Sequence, residues 1–410
     1  MTTLRDGKSP LGGWIGTTMR IDISERLAAL RPSAPLAVVD KARAMRDRGV
    51  DVVDFSAGQP DFDTPQHVKD AAVAALAAGD TKYPTPTVGK NELREAVRNY
   101  FKRYCGLDYK LSETCVTVGA KDALHLAFAA ILNPGDEVVV PVPYWGSYIE
   151  HIHLAGGVTR RLTAALAQNG KFTAAQLREQ ITPKTKALIV NSPSNPSGAV
   201  FTRAEFAELA KVLADTNILV ISDEIYHRLC WTGETCASFA SLPGMFERTV
   251  TINGASKSYA MTGWRLGFAG GPEPIIAAMS RLQGQTTSGA TSFVQTAAIT
   301  ALNGDQFCVS QMAAAYHERG KRMHAGLSAI AGVRCAMPDG AFYCFPDVSG
   351  VLSRVGAGSV DEFANMALEK AHVAVVSGSA FGSDRHVRMS FACGLREVDE
   401  GVRRFAAFLK

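Results

Sequence analysis

Short β-branched apolar runs alternate with Ala/Leu-rich amphipathic stretches along most of this chain. TCVTV (114–118) precedes KDALHLAFAAIL, DEVVVPVP (136–143) precedes SYIEHIHLAG, and TKALIVNSP (185–193) precedes RAEFAELAKVLAD. NILVISDEIY (217–226) and RTVTINGASKS (248–258) follow. Strands separated by helical segments predict a mainly parallel sheet with helices on both faces. The runs are continuously apolar, as expected of strands buried on both sides. Past about residue 300 the texture changes. A long helical stretch, QFCVSQMAAAYHERGKRMHAGLSAI, leads to GAFYCFPDV, HVAVVSGSAFG and HVRMSFA, an α+β pattern with a small antiparallel or mixed sheet. The expected organisation is a flexible tail over 1–18, a segment over 19–63 that packs on the small domain, a large α/β domain over 64–300, and a small α+β domain over 301–410.

With 410 residues, 47% hydrophobic and 20% charged, the chain can bury a sizeable core, which excludes disordered, collagenous and coiled-coil classes. The 43 Lys and Arg against 39 Asp and Glu leave a net charge of +4 with no dense basic run, so nucleic acid is not expected as a partner. The longest apolar run, Ala71 to Ala78, is too short to span a bilayer. The first residues carry no apolar core of signal-peptide length. Eight irregularly spaced cysteines form no CxxC pair, which fits reduced thiols in a cytoplasmic protein.

In open α/β sheets, ligands bind beyond the carboxyl ends of the strands. The first apolar run is followed by Gly119, Ala120 and Lys121, the second by Tyr144 and Trp145, and the third by Asn191 and a loop containing Asn195. Asp223 and Tyr226 follow the fourth, and Asn253, Gly254, Ser256 and Lys257 the fifth, with Arg265 eight residues beyond Lys257. A flat aromatic, an amide, a buried-type carboxylate, a phenol, a lysine and an arginine together suit a planar heteroaromatic aldehyde phosphate. Pyridoxal 5′-phosphate needs a lysine amine for its aldehyde, a carboxylate for its ring nitrogen and donors for its ring oxygen. It also needs an aromatic face to stack on and an anion cradle for its phosphate. GxGxxG, GxSxG and HExxH patterns are absent, and the GKS at Gly7 to Ser9 lacks the upstream glycine of a P-loop. His151 and His153 form an HxH pair without a third ligand in sight, so no metal is expected.

GQPDFDTP (58–65), TKYPTPTVGKNELREAV (81–97), NSPSNPSG (191–198), SDEIY (222–226), SKSYAMTGWRLGF (256–268), GAFY (340–343) and HVRMS (386–390) resemble the fold-type I, class I aminotransferases. RPSA (31–34), VTVGAKDAL (116–124), PYWGSY (143–148) and LQGQTTSGA (282–290) resemble in particular the bacterial aspartate and aspartate/prephenate aminotransferases. The likeness runs from about Ile23 to the C-terminus and implies the aspartate aminotransferase fold, with a seven-stranded type of sheet. It implies that Lys257 holds the cofactor covalently, that Asp223 partners the ring nitrogen, and that Tyr226 and Asn195 hold the ring oxygen. Trp145 would stack on the ring, while Arg265, Ser256 and the backbone at Ala120 would cradle the phosphate. Tyr83 would reach the phosphate of a neighbouring subunit, which implies a homodimer. Arg388 would clamp the substrate α-carboxylate beside Gly58. Lys121, helped by Arg31 and Ser33, would take a distal carboxylate.

This chain departs from the family pattern in four places. Gly254 stands where many relatives have a serine. Tyr148 stands where animal-type relatives have a histidine behind the aspartate. Pro35 replaces a frequent threonine, and CGLRE replaces TSEE after HVRMSFA. The implied activity is transamination between an amino acid, aspartate or glutamate, and a 2-oxo acid: oxaloacetate, 2-oxoglutarate or prephenate. The alternatives are a transaminase for aromatic or other amino acids, a β-lyase or decarboxylase on the same site, and a non-enzymatic cofactor-binding regulator.

Overall fold

A computed structural model describes residues 23–30, 34–163, 170–232 and 236–410. The expected tail and the candidate residues Arg31 and Ser33 lie outside the described residues. The chain divides into two compact units, Met1–Arg31 and Pro32–Lys410. The first contains the short helix Glu25–Ala28. All that follows concerns the second.

Seven strands form the main sheet: β1 (Thr114–Thr117), β2 (Glu137–Val142), β3 (Val158–Thr163), β4 (Thr185–Asn191), β5 (Leu219–Asp223), β6 (Thr249–Gly254) and β7 (Gly267–Gly270). Their spatial order is β1-β7-β6-β5-β4-β2-β3. Pairing is parallel except on the two sides of β7, which runs against both β1 and β6. The continuous apolar runs follow from this arrangement, because successive side chains enter two different cores. Val138, Val140, Ile189 and Ile221 pack with Leu124 and Phe128 of the helix Ala120–Ile131 and Met279 of the helix Glu273–Thr286. Val139, Leu188, Val190 and Val220 pack with Phe206 and Leu209 of the helix Arg203–Leu213. That helix starts where Thr202 Oγ1 accepts the Glu205 N–H while the Glu205 carboxylate accepts the Thr202 N–H, a reciprocal cap.

Three short strands, β8 (Tyr343–Cys344), β9 (Val376–Ser377) and β10 (Val387–Ser390), form a second, antiparallel sheet in the order β9-β10-β8. The long helix Phe307–Ser328 and the helix Leu395–Phe408 cover it through Tyr316, Met323, Val398 and Phe405. Val53 and Asp54 pair in parallel with Val373 and Ala374. The Phe55 N–H donates to the Ala374 carbonyl, and the Ser390 N–H donates to the Phe55 carbonyl. Residues 53–58 are therefore stitched onto the small sheet while their far end reaches toward β6. The CGLRE departure forms a helix start: the Gly394 N–H donates to the Glu397 carboxylate at 2.7 Å.

Candidate active site

Asp223 ends β5 and is 3% exposed. Its Oδ2 accepts the Tyr148 hydroxyl at 2.6 Å and its Oδ1 accepts the Ile225 N–H at 3.2 Å. Burial pushes its carboxyl pKa up, against the pull of those two donors and of the Lys257 charge. Tyr148 thus stands behind the aspartate, the position the sequence marked as a departure. Asn191 Nδ2 donates to the Asp223 carbonyl at 2.9 Å, and Asn191 Oδ1 accepts the Asn195 N–H at 2.8 Å. One strand-end amide therefore ties two of the candidate residues together.

Lys257 sits on the single turn Ala255–Ser258 that follows β6. Its ammonium donates to the Gly58 carbonyl and lies 5.7 Å from the Phe342 ring and 5.9 Å from the Tyr226 ring. Burial, then the Arg388 and Arg265 charges, lowers its pKa to about 7, with Asp223 opposing. At neutral pH a large share of this amine carries a free lone pair. The Tyr226 hydroxyl shares a 2.8 Å hydrogen bond with the Tyr343 hydroxyl.

Arg388 lies in the middle of β10 and is 2% exposed. Nη1 donates to Asn195 Oδ1 at 3.1 Å and Nη2 to the Ser56 carbonyl at 2.8 Å, while Nε is buried with no partner among the described residues. The guanidinium lies 4.6 Å from the Tyr343 ring centroid and 5.0 Å from that of Phe381. No carboxylate neutralises it within hydrogen-bond reach among the described residues, so a buried cation stands ready for an anion.

The helix Ala120–Ile131 begins at Gly119, whose φ of +85° favours glycine and whose Cα faces the Arg265 guanidinium. A Cβ there would lie 2.5 Å from Arg265 Nη2. A Cβ on Gly267 would lie 2.3 Å from the Ala120 nitrogen. Two glycines therefore leave a helix N-terminus and a guanidinium open to one another, an anion cradle. Ser256 is buried in the turn after β6. At Gly254 the φ of 173° is ordinary extended backbone, and a Cβ would approach the Leu266 carbonyl at 3.0 Å. Trp145 packs edge-on against Tyr148 at 5.5 Å, and the Lys121 ammonium lies 5.0 Å from the Trp145 ring. Lys121 is exposed by surface area, yet enough protein surrounds its ammonium that burial, then the Arg265 charge, lowers its pKa.

The fold brings Gly58, Lys121, Trp145, Asn195, Asp223, Tyr226, Lys257, Arg265 and Arg388 around one cleft, linked by the contacts above. Tyr83 is 85% exposed and makes no described contact with the cleft in its own chain. Gln283, in the LQGQTTSGA stretch, is buried and donates to the Thr87 and Val116 carbonyls. Sequence reasoning missed Tyr343 and Ser56 as site residues. Tyr343 stood in the GAFY motif and could have been found there, whereas Ser56 contributes only a carbonyl, which no side-chain pattern announces.

These features fit pyridoxal 5′-phosphate. A depressed-pKa amine, a buried carboxylate with its own hydrogen-bond donor, and an anion cradle kept open by two glycines match its three functional ends. The family described as "Aminotransferase class I and II" matches residues 50–405. The aspartate aminotransferase of Bacillus sp. (strain YM-2) is 46% identical over 389 residues, covering 95% of this chain and 99% of the relative. The aspartate/prephenate aminotransferase of Nitrosomonas europaea is 40% identical over 395 residues, 94% of this chain and 99% of the relative. The solved aspartate aminotransferase of Thermus thermophilus with maleate superposes with a TM-score of 0.90 at 42% identity, covering 95% of this chain and 100% of that one. The lysine after β6, the aspartate ending β5 and the arginine of β10 thus stand on a shared fold, and the chain belongs to the class I and II aminotransferases, pyridoxal-phosphate enzymes that move amino groups between amino acids and 2-oxo acids.

Proposed function

We propose that this enzyme takes the amino group of aspartate or glutamate and passes it to a 2-oxo acid, with oxaloacetate, 2-oxoglutarate and prephenate as acceptors. The observation that carries this reading is a pair of cations in one cleft. Arg388 is buried without a carboxylate partner among the described residues, and Lys121 lies near enough for its charge to lower the Lys257 pKa. A substrate with one carboxylate leaves the second cation unpaired, whereas a dicarboxylate pairs both. The names of the Bacillus and Nitrosomonas relatives, and the C4 dicarboxylate maleate on the Thermus relative, support the same class.

Pyridoxal phosphate, when bound, supplies a carbonyl that exchanges with amines and a protonated ring that accepts the electron pair left when Cα loses its proton. The chain does the rest. Lys257 would hold the cofactor covalently, and its amine, when free, would be the base that takes and returns the substrate proton. Burial and the neighbouring Arg388 and Arg265 charges favour the neutral amine that such a base requires. Asp223 would keep the ring nitrogen protonated, with Tyr148 fixing the carboxylate. Asn195 and Tyr226 would hold the ring oxygen, and Trp145 would offer an aromatic face to the ring. Arg265, Ser256 and the Ala120 N–H would hold the phosphate. Arg388 would grip the α-carboxylate beside Gly58, and Lys121 the distal one.

Tyr83, exposed in its own chain, belongs in this reading to the phosphate site of a second copy, so the working unit is a cytoplasmic homodimer. Residues 64–300 form its cofactor-binding part and 301–410 the part bearing Arg388. An active monomer in sedimentation at assay concentration would exclude the shared site. Among the described residues, no helix is long and apolar enough to cross a membrane.

The test is a half-reaction screen of the holoenzyme with aspartate, glutamate, alanine and phenylalanine, following cofactor absorbance and the 2-oxo acid formed. The two dicarboxylates should lead by at least roughly tenfold in kcat/KM, the discrimination expected of one well-paired charge. Equal rates for all four, or release of ammonia with pyruvate, would defeat the proposal.

A further inference from the structure

Beside the strand that ends at Asp223 lies a buried group of side chains that amino transfer does not use. Glu224 is 1% exposed and His227 4%. Glu224 Oε1 accepts Ser222 Oγ at 2.9 Å, Ser238 Oγ at 2.7 Å and the Phe239 N–H at 3.4 Å. Its Oε2 is buried with no partner among the described residues. His227 Nε2–H donates to the Tyr104 carbonyl at 2.9 Å, which fixes the tautomer and leaves Nδ1 as a bare lone pair. Nδ1 is likewise buried without a partner, 3.5 Å from Glu224 Oε2. Cys105, the last residue of the π-helical turn Phe101–Cys105, completes the group. The three ligand atoms all lie within 4.8 Å of one another.

Oε2 and Nδ1 face each other in a dry pocket, with the Cys105 thiol as the side-chain donor beside the Glu224 carboxylate. A cation in their midst would take the place of the thiol proton and occupy the Nδ1 lone pair. The donor set is one sulfur, one imidazole nitrogen and one carboxylate oxygen, which suits a borderline-soft tetrahedral dication better than magnesium or calcium. A thiolate and a carboxylate beside a neutral imidazole balance its two charges. Both oxygen and nitrogen ligands already possess the outer partners that orient metal ligands, namely Ser222, Ser238 and the Phe239 N–H for the carboxylate and the Tyr104 carbonyl for the imidazole. The Tyr100 hydroxyl, also buried without a partner among the described residues, lies within the electrostatic reach of Cys105 and Glu224.

We propose that Cys105, Glu224 and His227 form a buried structural zinc site. On binding, the Cys105 thiol proton leaves to solvent and the imidazole keeps its proton on Nε2. The metal pins the end of the helical segment 91–105 to the turn that follows Asp223. Cys105 and the other two ligands are far apart in the chain, and the pattern around them matches no zinc spacing, so only the fold assembles the set. The ligands are closed off from solvent, so the metal enters as the chain folds.

The holoenzyme should be purified without chelators from cells grown with added zinc, dialysed against metal-free buffer, and assayed for metals by mass spectrometry. About one zinc per chain is expected, the content of a closed structural site. His227→Gln and Cys105→Ser should each bring it to background. Protein made in cobalt medium should show a thiolate-to-cobalt charge-transfer band, a readout on the unaltered chain that does not depend on either variant folding. Wild-type zinc below ~0.1 equivalent, together with no cobalt–thiolate band, overturns the site, since a preformed closed site retains its metal. Zinc that persists in both variants overturns it equally.

Discussion

Replacing Lys121 with alanine isolates the second cation of the cleft. Its ammonium lies 5.0 Å from the Trp145 ring, on the cofactor side of the helix that starts at Gly119. Removing one member of a charge pair in a binding site costs about 2–5 kcal/mol. Lys121 is exposed in the single chain, so solvent weakens the pair and the lower end applies. A loss of about 2 kcal/mol is roughly thirtyfold in kcat/KM for aspartate. Alanine removes the aliphatic stem together with the charge, so Lys121→Met is the companion variant: it keeps the packing on Trp145 and removes only the ammonium. Steady-state kinetics with aspartate and phenylalanine form the assay. Aspartate should suffer roughly thirtyfold in both variants, and phenylalanine, which has no distal charge, less than about threefold. Equal losses on the two substrates would show that Lys121 serves the cofactor or the fold, and the argument from paired cations would fail.

Three other outcomes follow from the site. In the apoenzyme, covalent capture of pyridoxal phosphate requires the neutral Lys257 amine, so its rate should rise with pH through about 7 and then level; a rate still climbing steadily at pH 9 would mean an ordinary lysine. Tyr148→Phe removes a hydrogen bond that lowers the Asp223 pKa, so the acidic limb of the kcat–pH profile should move to higher pH with roughly a tenfold loss of kcat, the value of one hydrogen bond to a charged group; an unmoved limb would separate Tyr148 from the carboxylate's role. Gly119→Ala puts a methyl 2.5 Å from Arg265 Nη2 at a φ of +85°, so equilibrium dialysis should show cofactor affinity weakened by at least roughly tenfold; unchanged affinity would dissolve the phosphate cradle.

The strands whose ends carry chemistry were legible because both faces of each are buried, which writes them as unbroken apolar runs. β3 and β7 were not. β3, VTRRLT, is an edge strand with mainly Leu162 buried, so charge interrupts its pattern. β7, GFAG, owes its small residues to crowding: a Cβ on Gly267 would strike the Ala120 nitrogen and one on Gly270 the Tyr109 ring. Of the site, side chains with a single chemical purpose could be read from their place after a strand. Lys257, Asp223 and Arg265 are of this kind. The Ser56 and Gly58 carbonyls could not, because a backbone oxygen carries no residue signature. The Cys105, Glu224 and His227 group was invisible for a third reason, since no local spacing unites residues from a helix end and a strand end.

The stitching of residues 53–58 onto the small sheet has a mechanical consequence. Phe55 bonds to Ala374 and Ser390, and the next residue offers its carbonyl to Arg388. The residue at 58 offers its carbonyl to Lys257 across the cleft. Arg388 and the two carbonyls therefore travel as one stiff piece, anchored where the Phe55 ring lies against Gly401 with no room for a methyl between them. Any tilt of the small sheet shortens or breaks the Lys257 contact at the same instant that it repositions the guanidinium. One splint of backbone thus ties the guanidinium of the small sheet to the carbonyl beside Lys257.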